Sequence, residues 1–245
     1  MEDQIYKSLT CQEIGHCRIV DLAAGQEEDA ADARFVDLAE LCDRLAWDEQ
    51  ARVVVFSFDG ELSIPHGESE QVSLVEPVAK LKQPVIAAIH GDATGLGLEL
   101  ALACDLRIGT ENARFGFPQI REGLIPFNGG TQRLPRLIGQ ARAMQMILTG
   151  ELIDAEEAGR AGLLNRVVPA DALMSSAIEL AQEMALKSPL SLSFAKEALY
   201  SGRDLTLDQG LKMELDLYLL LFSTADRTEG ITAFREKRKP QFEGI

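Results

Sequence analysis

Up to residue 168 the chain alternates short β-branched segments with stretches of helical spacing, and after Pro169 the strands stop. The apolar segments fall at 17–22, 52–58, 84–89, 105–108 and 163–168. Between the first two, residues 30–47 place Phe35, Leu38, Leu41, Leu45 and Ala46 at helical intervals. Strand and helix in alternation predict an α/β body with parallel strands. Beyond it, 170–187, 191–200, 206–222 and 225–237 all read as helices. The third carries Leu207, Leu211, Leu215, Tyr218, Leu219 and Phe222, too apolar for a free surface helix. Such a helix packs on the core or on another subunit. An α/β body followed by a helical portion that mediates oligomerisation is the expectation.

Composition narrows the function classes. A chain of 245 residues, 46% hydrophobic and 26% charged, has the make-up of a globular enzyme with one good core. Its apolar runs, such as 84–89, are too short to span a bilayer. The opening MEDQIYKSLT is acidic without an apolar stretch, so no signal peptide is expected and a cytoplasmic location is. A formal net charge of −15 argues against nucleic acid as a partner, because phosphate contacts need clustered Lys and Arg. An anionic ligand remains compatible if it meets a local basic cluster or a helix N-terminus. The four cysteines, Cys11, Cys17, Cys42 and Cys104, show no CxxC spacing, so free thiols and no zinc or other metal site are expected.

Two segments carry chemistry. In the first, 90–105, a strand gives way to a glycine-rich turn and then to a helix beginning near Gly95. Glycines there allow close approach of a ligand to the backbone. The unpaired N–H groups and positive dipole end of the helix suit a negative oxygen. Glu99 is the only charged residue between Gly95 and Cys104, with Leu96, Leu102 and Ala103 as helical neighbours. Desolvation there would raise its pKa, as acid/base work near neutral pH requires; the alternative is a structural carboxylate satisfied by a buried Arg or backbone amides. The run has neither the GxGxxG order nor a following Lys-Ser/Thr, so it is not a nucleotide loop. The second segment, 115–134, is irregular, with Pro118, Pro126 and a Gly-Gly-Thr helix start at Gly129. A loop this apolar is expected to line a pocket.

Together the two segments resemble the heart of the enoyl-CoA hydratases. The resemblance runs from Ile89 to Gly139, including GLGLELALACDLRIGTENARFGFPQIREGLIPFNGGTQRLPRLIG. It continues through MILTGELIDAEEAGRAGLLNRVVP and ends in EGITAFREKRKPQF. The chain is thereby identified as a member of the crotonase superfamily, in its enoyl-CoA hydratase/isomerase group. The implied fold is an α/β spiral of ββα units forming two nearly perpendicular sheets. Residues 1–186 would form the spiral core with the acyl-thioester site, and 187–245 the helical region of a homotrimer or dimer of trimers. The implied activity is that of a lyase adding water to a 2-enoyl thioester, with coenzyme A as part of the substrate and no separate cofactor.

The resemblance also implies site residues. Glu99 occupies the position of one catalytic carboxylate, and the Leu96 N–H, beside Gly95, that of one oxyanion-hole donor. The other donor aligns with Gly67, where the chain reads Ser63-Ile64-Pro65-His66-Gly67-Glu68. Phe127 falls in the substrate-binding stretch, and Lys237, Arg238 and Lys239 match the basic tail that approaches the CoA phosphates. The main departure is Gln119, which stands where hydratases have their second glutamate. An amide can hold water but cannot exchange a proton at neutral pH. Glu99 then handles both proton transfers with Gln119 positioning water, or Glu122 substitutes, or the reaction needs only one acid/base group. Decarboxylases of the superfamily fit the third case better than isomerases do, and His66 would assist there. A paralogue that binds acyl thioesters without turnover is the non-enzymatic alternative. The acidic stretch 23–30 replaces the usual border of the adenine pocket, and the segment between Gly67 and Lys82 is short, both compatible with a carrier-bound thioester.

Overall fold

A computed structural model describes residues 6, 8–22, 30–59, 73 and 75–245, with backbone alone at 30–32. A hairpin opens the fold: β1 (Thr10–Ile14) and β2 (Cys17–Asp21) pair antiparallel around Gly15, whose φ of 59° suits only glycine well. Helix α1 (Ala30–Leu45) leads to β3 (Val53–Phe58), the short α2 (Val75–Ala79) and β4 (Val85–Ile89). Then come β5 (Ala93–Thr94), α3 (Leu96–Ala103), β6 (Leu106–Thr110) and β7 (Arg114–Gly116). After a 3-10 turn at Pro118–Glu122 follow α4 (Gly130–Ile138), α5 (Gln140–Thr149), β8 (Ile153–Asp154), α6 (Ala155–Arg160) and β9 (Arg166–Val168). Helices α7 (Leu173–Ala185), α8 (Pro189–Gly202), α9 (Leu207–Leu220) and α10 (Ala225–Glu236) complete the chain.

The strands form two sheets. Six lie in the order β1-β2-β3-β4-β6-β9, parallel from β2 onward, and three in the order β5-β7-β8. Residues of β3 are buried without exception, as a central parallel strand covered on both faces requires. Val53 and Val55 point to the side closed by Leu173, Ala177, Ala181 and Ala185 of α7. Val54, Phe56 and Phe58 point to the main core, shared with α1 and α3. The sequence reading had the large-sheet strands from β2 onward and the main helices to within a few residues. Periodicity gave no sign of β1 or of the strands of the second sheet; the second sheet, which distinguishes this architecture from a doubly wound one, was implied only by the family resemblance.

All eight residues of α3 are buried, so its ends need polar partners inside the protein. Arg107 of β6 closes the C-terminal end. Its Nη1 donates to Ala101 O (3.1 Å) and Cys104 O (2.6 Å), its Nε to Leu163 O (2.8 Å). A cation there is favoured by the helix dipole and fixes α3 against the sheet. Asp105 and Lys196 pair at 2.8 Å, and Lys196 also donates to Gln83 O, which anchors α8 to the start of β4. Cys11, Cys17, Cys42 and Cys104 are free thiols, and no described helix is long and apolar enough to cross a membrane.

Candidate active site

The site is built where the buried N-terminus of α3 meets the irregular stretch from the 3-10 turn to α4. Gly95 caps α3 with φ 52° and ψ −122°, a conformation that β-carbons oppose. A Cβ on it would lie 3.0 Å from Gln119 Nε2, so the Gln119 carboxamide rests directly over the cap. As the first helical residue, Leu96 presents an N–H that the helix itself cannot pair. The structure thus brings Gly95, Leu96 and Gln119 together at one helix end.

One turn further along α3, Glu99 has no solvent exposure. Its Oε1 accepts from two backbone amides, Asn128 N at 2.7 Å and Gly130 N at 2.9 Å. Its Oε2 has no partner among the described residues, although it is buried. Burial pushes the carboxyl pKa up; the Gly130 and Asn128 amides and the charge of Arg133 pull the other way without cancelling it. Of the two sequence alternatives, the backbone amides of the structural one are present at Oε1, while Oε2 has no partner among the described residues. Gln119 Oε1 is likewise buried without a partner among the described residues. Buried polar atoms without partners are rare, and two at one helix end point to a ligand or water between them and the backbone.

Asn128 and Arg133, neither of them a sequence candidate, shape this arrangement. Asn128 Oδ1 accepts from Ser73 Oγ at 2.6 Å, and Ser73 Oγ in turn accepts from Val75 N and Glu76 N at the head of α2. Arg133 Nη1 donates to Asn128 O at 2.8 Å. The only sequence hints of this grip were the turn residues before α4 and the Gly-Gly-Thr start; which amides would meet Glu99 was not among them.

The remaining candidates lie apart. Phe127 is 52% exposed and adjoins Asn128, at the outer rim of the cluster. Glu122, at the end of the 3-10 turn, is exposed, so it has none of the desolvation that marks Glu99. Lys237 ends α10 in a left-handed conformation (φ 56°), and it and Lys239 are exposed on the tail, separate from the Glu99 cluster. Their neighbour Arg238 is occupied by Glu229 (2.5 Å) and Glu236 (2.7 Å). His66, Gly67 and the acidic stretch up to Asp29 lie outside the described residues.

Comparison with known proteins agrees with the geometry. Residues 66–245 match the enoyl-CoA hydratase/isomerase family. The chain is 41% identical over 224 residues to (E)-benzylidenesuccinyl-CoA hydratase of Thauera aromatica, covering 85% of this chain and 88% of that protein. It is 49% identical over 162 residues to 2,3-dehydroadipyl-CoA hydratase of Escherichia coli (strain K12), 66% of this chain and 64% of that one. The match thus spans just under two thirds of the Escherichia coli protein. A crystal structure of enoyl-CoA hydratase from Bacillus anthracis superposes with a TM-score of 0.90 at 36% identity, covering 97% of this chain and 100% of that one.

Proposed function

The chain belongs to the enoyl-CoA hydratase/isomerase family, and on that premise we propose that it adds water across the α,β double bond of a 2-enoyl-CoA thioester. The observation that carries this reading is Glu99: a wholly buried carboxylate with one oxygen pinned by two amides and the other unpartnered. It stands one turn from the Leu96 N–H, where a thioester oxygen would be received.

In this mechanism the thioester carbonyl accepts a hydrogen bond from Leu96 N–H and a second from the segment carrying Gly67. Donors aimed at the developing enolate oxygen are worth about 3–4 kcal/mol each in comparable sites. Polarisation makes the β-carbon electrophilic. Glu99 Oε2 takes a proton from water as its oxygen bonds to that carbon, and the π electrons move to the thioester oxygen. The enolate then collapses and its α-carbon takes the proton back from Glu99. Gln119 takes no proton; its unpartnered Oε1 accepts a hydrogen bond from the water and orients it. A single carboxylate thus serves as base and acid in turn.

Phe127 would border the acyl or pantetheine portion, while Lys237 and Lys239 would meet the CoA phosphates, with coenzyme A entering only as part of the substrate. Self-association is part of the proposal. Leu207, Leu211, Leu215, Tyr218 and Leu219 of α9 are all more than half exposed, an apolar area that fits the trimer, or pair of trimers, implied by the family resemblance. The amide at Gln119 favours a second reading, decarboxylation of a malonyl-type thioester, which needs the oxyanion hole but no second carboxylate. Incubation with crotonyl-CoA in 18O-water separates the two. Formation of 3-hydroxybutyryl-CoA carrying one 18O is expected. Recovery of unchanged crotonyl-CoA, with carbon dioxide released from malonyl-CoA, would favour the second.

A further inference from the structure

Arg133 is placed against the grain of its own helix. It is the fourth residue of α4, and its guanidinium folds back over Gly129, the residue that caps the helix N-terminus. A Cβ at Gly129 would overlap Arg133 Nη1, so the guanidinium occupies the space that glycine leaves open. Cations are disfavoured at that end of a helix, where the dipole is positive. Something else must hold Arg133 there. Its Nη1 donates to Asn128 O, at the segment whose next and previous amides, Gly130 N and Asn128 N, both grip Glu99 Oε1.

We propose that Arg133 is a positioning residue that holds the Asn128–Gly130 amides on Glu99 and places a positive charge beside the carboxylate that activates water. The inference rests on the hydratase reading of Glu99 and deepens it. Burial favours the neutral acid at Glu99; the Gly130 and Asn128 amides oppose this, and after them the charge of Arg133, the one charged side chain among the described residues that does. Among the described residues, other charges around α3 are engaged elsewhere or lie at the surface; Arg107, at its far end, bonds the Ala101 and Cys104 carbonyls. Glu76 and Lys80, at α2, pair with each other, and β5 carries no charge. Asp92, just before β5, pairs with Arg114. On the 3-10 turn Arg121 donates to Gly150 O and Glu122 is exposed, while Arg136 of α4 is exposed and bonds Gln132. The cation is held against the helix dipole by the Asn128 carbonyl, beside the two amides that grip Glu99.

The test compares the pH dependence of crotonyl-CoA hydration in wild type, Arg133→Met and Arg133→Lys. With Glu99 acting as base, kcat/KM falls as pH drops through its pKa. Arg133→Met is expected to move that acidic limb upward, with activity recovering at higher pH. Arg133→Lys keeps the charge and is expected to keep the limb near its wild-type position, even if kcat falls. A purely structural role would lower kcat in both variants and leave the limb in place, which would overturn the proposal. An infrared titration of the carboxylic-acid band that Glu99→Gln removes provides the same comparison without substrate. If the wild type does not hydrate crotonyl-CoA, an upward move of that band's titration in Arg133→Met still supports the role of Arg133, and its absence sinks it.

Discussion

Glu99 shows how a residue can be tuned for chemistry at the expense of stability. Its folded pKa is raised, chiefly by burial, so the folded protein favours the protonated form. The stability this linkage contributes is present below the unfolded-state pKa and is lost as pH rises through the folded one. Above the folded pKa, the ionised side chain therefore destabilises the protein. Glu99→Gln removes the charge and leaves an oxygen for the Asn128 and Gly130 amides. We expect its melting temperature at pH 8 to exceed that of wild type by about 2–4 °C for each kcal/mol recovered. The difference should shrink as pH falls toward the raised folded pKa and Glu99 itself takes up a proton. A variant less stable than wild type at pH 8 would mean that the ionised carboxylate stabilises the fold. Gly95 belongs at the same scale. Gly95→Ala forces a left-handed cap conformation on a β-carbon and presses it against Gln119 Nε2 at 3.0 Å. About 1–2 kcal/mol of stability and at least tenfold in kcat should be lost, read by denaturant melts and steady-state rates.

At the scale of elements, what holds the site is mostly backbone. The bonds to Glu99 join residues 29 and 31 positions apart, and they come from amides, which every residue carries. No side-chain pattern announces them, and for that reason the sequence pointed to Glu99 and Gln119 but not to Asn128, Gly130 or Arg133. The same reason explains the second sheet. Strands β5 and β8 have two residues each and β7 three, too short for any period to register. Strands β3 and β4 were legible because continuous β-branched and small apolar runs bury both faces. Farther along, Asp226 is 2% exposed and accepts from Glu243 N (2.7 Å) and Gly244 N (3.1 Å), tying the tail to the head of α10. Asp226→Ala removes the buried charged acceptor of two partly buried hydrogen bonds and should cost about 1–2 kcal/mol in chemical denaturation. An unchanged midpoint would mean that the tail contributes nothing to folding.

Over the whole molecule the distribution of apolar side chains is uneven. The sheet core is closed, yet α9 and its surroundings present Leu199, Leu205, Leu207, Leu211, Leu215 and Phe222 to solvent in the single chain. The spacing of the leucines was legible in the sequence; that the core leaves them uncovered was not, because periodicity does not say which neighbour a face meets. Sedimentation velocity should find a species larger than the monomer, and Leu215→Lys with Tyr218→Lys should shift it toward monomer. A monomeric wild type at micromolar concentration would remove assembly from the account. The central claim is that Glu99, held by two amides beside the α3 N-terminus, is the acid/base group of an enoyl-CoA hydratase. Its most direct test is loss of enoyl absorbance from crotonyl-CoA in wild type and Glu99→Gln. Turnover in wild type that falls by about 10²–10⁴ in the variant, with crotonyl-CoA still bound, is the predicted result. Undiminished turnover in Glu99→Gln, or none in a wild type that binds crotonyl-CoA, would contradict it.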